Sequence, residues 1–97
     1  MTRHEEIIRQ MLSDHEAEFD AFQNIHDAYA LDGKTHQEEF NRVGEKITDI
    51  IRDYESRLCK HSENTQYGKF SSKLSDKYWE EIRKLFPMID YIGVKPG

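Results

Sequence analysis

Three of the five histidines recur every eleven positions, each followed by an acid: His4-Glu5, His15-Glu16 and His26-Asp27. Imidazoles beside carboxylates supply metal ligands and proton carriers, so metal binding or acid–base work is the chemistry such a series offers. On a helix, eleven residues make three turns with a drift of about 20°, which keeps all three rings on one face. The same geometry sets neighbours about 16 Å apart along the axis, while a metal holds its nitrogen ligands at about 2 Å. A metal site must therefore draw on a second helix or a second subunit. In a hairpin folded about residues 30–36, positions whose numbers sum to about 66 come opposite. That places His26, His36 and Glu39 together near the bend, and two imidazoles with a carboxylate are a known metal triad. At the open end, His4 approaches His61. The His-x-x-Glu order of His15–Glu18 and His36–Glu39 reverses the Glu-x-x-His of helical di-iron bundles. The leading reading is that the histidines border the core, with no cofactor. The triad is the alternative.

Catalysis finds less support. Cys59 has Lys60 and His61 beside it, neighbours that depress a thiol pKa where the group is exposed. No glycine-rich phosphate loop, nucleophile elbow or metalloprotease helix motif accompanies it, and the five glycines are scattered singly. The chain reads as no enzyme.

A nucleic-acid reading rests on Lys69, Lys73 and Lys77 at four-residue steps, interleaved with Tyr67, Phe70, Tyr78 and Trp79. Stacking aromatics with lysines on phosphates is how single strands are gripped. The pI near 5.5 opposes it. Residues 1–65 hold 8 Lys and Arg against 15 Asp and Glu, a balance of −7, and residues 66–97 hold 6 against 4, a balance of +2. An acidic first part and a mildly basic second part read first as one docking on the other. Asp14, Glu16, Glu18 and Asp20 could also imitate a nucleic acid, although such acids on a surface helix ordinarily serve solubility.

The elements that position these residues are helical. Thr2-Arg3-His4-Glu5 and Thr35-His36-Gln37-Glu38 both match the capping box that opens a helix. Leu31-Asp32-Gly33-Lys34 separates them, with Gly33 suited to a left-handed helix end. Ile7, Ile8, Met11, Leu12, Phe19, Phe22, Ile25 and Tyr29 form the stripe of a helix over about 3–31. Phe40, Val43, Ile47, Ile50, Ile51, Tyr54 and Leu58 form that of a second over about 36–61. Within it, Gly44 costs about 1 kcal/mol relative to alanine and marks a close approach of another helix. Residues about 62–70 read as a loop. A third helix over about 72–86 turns Leu74, Tyr78, Ile82 and Leu85 inward and stops before Pro87. The tail 87–97 is strongly apolar and reads as extended, lying across the helices or pairing with a second copy.

The sequence therefore predicts one all-α domain, a long antiparallel hairpin with a short third helix. Its 97 residues are 36% hydrophobic and 34% charged, and the stripes of two such helices exceed what one short helix covers. Self-association follows as an expectation: a protein-interaction or regulatory module, a homodimer. The expected contact surface joins Tyr78 and Trp79 to Phe86, Ile89, Tyr91 and Ile92, since large aromatics dominate interface energetics. The single cysteine favours a reducing compartment, no apolar run opens the chain, and nothing approaches a membrane span, so a cytoplasmic setting is expected. Phe22→Ala and Tyr54→Ala should each lose about 3 kcal/mol or more in urea unfolding, as buried aromatic truncations do. Losses under about 1 kcal/mol in both would show that the inner face has been misplaced.

Overall fold

The computed structural model describes residues 2–63 and 69–93, and within them four α-helices and one 3-10 turn account for the chain, with no strand. Helix α1 spans Arg3–Asp14, α2 Glu16–Leu31, α3 Gly33–Glu63 and α4 Lys69–Leu85, followed by the turn Ile89–Tyr91. The all-α hairpin with a short third leg is as the stripes require. Thr2 caps α1, its Oγ1 accepting the Glu5 N–H at 3.4 Å. Most of the expected loop, residues 64–68, lies outside the described residues, as do residues 94–97.

Three local expectations are corrected. The helix over about 3–31 is broken at His15, whose φ of −125° and ψ of 40° leave helical geometry. Tyr54 of α3 donates its hydroxyl to Asp14 Oδ2 at 2.6 Å, and the His15 ring meets the Tyr54 ring edge-on at 5.8 Å. Asp14 is a residue type that readily trades helical bonding for side-chain bonds, and the grip of Tyr54 fixes where the chain bends. Backbone bonds from His15 N–H to Met11 O and from Phe19 N–H to His15 O span the break, so the apolar stripe passes through it. The second correction is the start of α3. Asp32, not Thr35, is its cap, accepting the Thr35 N–H at 3.3 Å and the Thr35 hydroxyl at 2.6 Å. Gly33 thus opens α3 in ordinary helical conformation instead of closing α2 in the left-handed one. Third, Leu85 is 44% exposed while Phe86 is buried. Helical bonding ends before Pro87, and Phe86 turns in upon Phe19, Phe22 and His26, its ring 5.0–6.0 Å from theirs.

The core runs the length of the molecule. Met11, Phe22, Phe40, Ile47, Ile51, Leu58, Tyr78 and Ile82 are all below 2% exposed. Near the bend, Tyr29 stacks on Phe40 with centroids 4.1 Å apart. α1 and α2 run antiparallel to α3, and α4 returns along α1 and α3. The body is elongated, 48 × 27 × 19 Å.

The tail docks on its own hairpin. Instead of the extended strand expected, residues 89–91 close a 3-10 turn through Ile89 N–H to Phe86 O and Tyr91 N–H to Met88 O. Ile92 then settles on α3 at Gly44, where a Cβ would stand 2.6, 2.8 and 3.0 Å from three of its side-chain carbons. Gly44 therefore does mark a close approach, of the tail and not of a helix. Glycine here gives up helix propensity to admit Ile92. Gly44→Ala should destabilise the protein, while the same change in an Ile92→Ala background should stabilise it by up to about 1 kcal/mol. A stabilisation of equal size in both backgrounds, read from urea midpoints, would show that Ile92 does not occupy this seat.

Candidate functional site

Of the eleven-residue series, His4 and His26 are buried on the inner side of α1 and α2 and His15 is half-buried at the break, but they do not assemble a site. His26 is 5% exposed, with its ring 5.7–6.2 Å from those of Phe22, Phe40 and Phe86. Its Nε2 accepts the Met88 N–H at 3.1 Å, and its Nδ1 lies 3.3 Å from Asp27 Oδ1. An accepting Nε2 places the ring proton on Nδ1, directed at the carboxylate. The lone pair that a metal would need is thus committed inside the core. Glu39 is exposed and pairs loosely with Arg42 at 3.9 Å, and His36 is half-buried near the start of α3. His26, His36 and Glu39 are not brought together, and among the described residues no group of three or more His, Cys, Asp or Glu is placed to hold a metal. His4 is buried with its Nε2 3.2 Å from Thr2 Oγ1. The side chains of Cys59 and His61, and with them the reactive-thiol reading and the His4–His61 approach, lie outside the described residues.

The aromatics of the nucleic-acid reading are occupied elsewhere. Tyr78 is wholly buried and donates its hydroxyl to the Ile51 carbonyl at 2.7 Å. Trp79, half-buried, donates Nε1–H to Glu55 at 2.6 Å, and Ser75 donates to the same carboxylate. α4 is therefore held against α3 by a phenol, an indole and a hydroxyl. Tyr67 and the side chains of Lys69 and Phe70 lie outside the described residues, while Lys73 and Lys77 are exposed.

The expected contact surface is divided by the same packing. Tyr78, Phe86 and Ile89 are 0%, 4% and 5% exposed, inside the chain's own core, and Trp79 and Ile92 are half-buried. Only Tyr91 of the six stands well out, at 48%. The expectation treated the open half of the hairpin as available to a partner. In the structure α4 and the tail fill it.

What the sequence reading missed is a groove on another side. Ala17 and Ala21 of α2 face Val43 and Ile47 of α3 across a space of about 410 Å³, whose rims carry Glu18 on α2 and Arg42 and Lys46 on α3. No residue of α4 or the tail lines it. The available signal was the pair of alanines one turn apart beside Phe22, together with Val43, which widens the α3 stripe beyond the contact with α4. A second groove of about 480 Å³ lies between α3 and the tail, lined mostly by polar residues including Glu45, Asp49, Arg52 and Asp90, with Trp79 at its side.

Electrostatics at the His15 bend favour the folded state. The hydrogen bond from Tyr54, then that from Gln10, holds the Asp14 carboxyl below its ordinary value of 3.8. The same bond to Asp14, followed by burial, raises the Tyr54 phenol. Both shifts favour one arrangement, ionised Asp14 with protonated Tyr54. A carboxyl lowered in the folded state contributes stability above its unfolded pKa and loses it as pH falls through the folded value. Asp14→Asn should therefore lose less stability than the unmodified protein when urea unfolding is compared at pH 7 and pH 3. Equal losses in the two proteins would show that Asp14 gains nothing from Tyr54.

Compared with models of known protein families, with curated proteins and with solved structures, the chain finds no match.

Proposed function

We propose that the chain is a helical protein-interaction module that works by binding and not by catalysis, and that it pairs with a second copy of itself through the α2–α3 groove. The observation that carries this reading is the open apolar groove with rims of opposite sign. A two-fold axis running along the groove lays α2 of one copy on α3 of the other. Glu18 then comes opposite Arg42 and Lys46 of the second copy, and the relation repeats by symmetry. The alanines support it further, because small side chains allow two helices to approach at the short end of the usual 8–10 Å separation. Apolar surface at Val43 and Ile47 is buried in the same step. The polar groove beside Trp79 lacks such a self-complementary pattern. A cytoplasmic setting belongs to the same proposal. Its supports are the single cysteine and, among the described residues, the absence of any helix long and apolar enough to cross a membrane.

Sedimentation equilibrium at high micromolar concentration should give twice the chain mass of 11.6 kDa. Ala21→Glu should return it to the monomer mass with the helical signal unchanged. Glu18→Lys should weaken pairing at least tenfold by setting like charges opposite one another, and Glu18→Lys with Lys46→Glu should recover most of it. A monomer mass for the unmodified protein, or indifference to Ala21→Glu, would overturn the proposal.

A further inference from the structure

The end of α4 leaves a backbone donor in an unusual position. Phe86 N–H still bonds to Ile82 O at 2.8 Å, Pro87 has no N–H, and the next donor, that of Met88, meets the His26 imidazole. From there the tail is tied by Gln37 Nε2 to Tyr91 O at 3.2 Å, by Gly93 N–H to Asn41 Oδ1 at 2.7 Å, and by the seat of Ile92 on Gly44. His26 is thus the first point at which the tail is fastened to α2 after the helix ends.

The fastening depends on the state of the ring. Nε2 accepts the Met88 N–H only while it carries no proton. A proton on Nε2 turns the acceptor into a donor facing another donor 3.1 Å away, and the half-buried Met88 amide then lacks its partner. The elements packed against His26 are α2 itself, α3 and the end of α4. On α2 the carboxylate of Asp27 lies at 3.3 Å, its side chain 67% exposed, and accommodates the Nδ1 proton in both states. From α3 the ring meets Phe40, while the flanking charges Glu39 and Arg42 are exposed. From the end of α4 it meets Phe86, and the charged pair Arg83–Asp90 is closed on itself at 2.9 Å. Asp27 is the charged group in contact with the ring, and its aromatic neighbours are Phe22, Phe40 and Phe86. Proton and tail compete for one nitrogen.

We propose that His26 is a proton-operated latch on the tail: neutral, it holds Met88; protonated, it releases residues 87–93. Release unseats Ile89 and Ile92 and uncovers the apolar surface around Gly44 and Phe40. The observation is the Met88–His26 bond and does not depend on self-pairing.

Amide hydrogen exchange followed by NMR on the full chain tests it, between pH 8 and pH 5, the range in which histidines change charge. After correction for the intrinsic pH dependence of exchange, protection at Met88 and Gly93 should fall at least tenfold at pH 5, while Ile25 within α2 keeps its own. In His26→Gln the side-chain carbonyl offers an acceptor that does not titrate, and the fall should disappear. Should that variant fail to fold, the imidazole 15N shifts of the unmodified protein give the same answer. Nε2 should be unprotonated at pH 8 and should gain its proton in step with the loss of Met88 protection. Protection that does not change with pH, an equal fall in His26→Gln, or an Nε2 already protonated at pH 8 would each overturn the latch.

Discussion

A mismatch of length governs this fold. α3 has 31 residues and α4 has 17, so at 1.5 Å per residue the third leg stops about 20 Å short of the bend. The hairpin presents apolar side chains along its whole length, and those nearest the bend, Phe22, Ile25, Tyr29 and Phe40, would stand open beyond the last turn of α4. Phe86, Ile89 and Ile92 cover that stretch. Phe86 lies four residues beyond Ile82 on the same inner stripe, its N–H still bonded to the Ile82 carbonyl, and reaches Phe19, Phe22 and His26 from the last turn of α4. Pro87 is thus part of the packing: it ends α4 where the chain must change course.

Polar groups inside this core set its alignment. Tyr78 ties α4 to α3 through the Ile51 carbonyl, and burial raises its phenol well above the ordinary value of 10. Tyr29 donates to Gln37 at 2.8 Å, while Gln37 donates in turn to Asn41 and to the carbonyl of Tyr91. An apolar stripe tolerates sliding by a turn, whereas a buried hydroxyl or amide shifted by a turn leaves donors and acceptors unmet at about 1–3 kcal/mol each. Gln37, 6% exposed in the first turns of α3, fixes the bend, the start of the helix and the tail against one another.

The parts legible in the sequence were those written in a local period. The stripes gave both arms of the hairpin and most of the core, Thr2 gave the first cap, and Gly44 stood out by its cost in a helix. The bend at His15 was not legible because its cause is Tyr54, forty positions away, acting on Asp14. The cap of α3 was misplaced because Asp32 and Thr35 both have capping chemistry, and only their mutual bond shows which accepts. A ligand role for His26 stayed open as the alternative because spacing reports the side of a helix and not what lies across from it. The division of the aromatic surface followed from two facts that spacing does not report: the tail covers its own chain, and Tyr78 and Trp79 are tied to α3. The α2–α3 groove was hidden because alanine carries little signal either way.

The seat of Ile92 on Gly44 also ties two distant places in the gene. A side chain at position 44 is compatible with the tail only if position 92 gives up volume, and a smaller residue at 92 removes the reason for glycine at 44. Neither change is comfortable alone, though both together can be. As the sequence drifts, these two positions, about half the chain apart, should therefore be inherited as a pair. Helix propensity alone would record Gly44 as a flaw, yet its value is set by a residue that a local reading of α3 never includes.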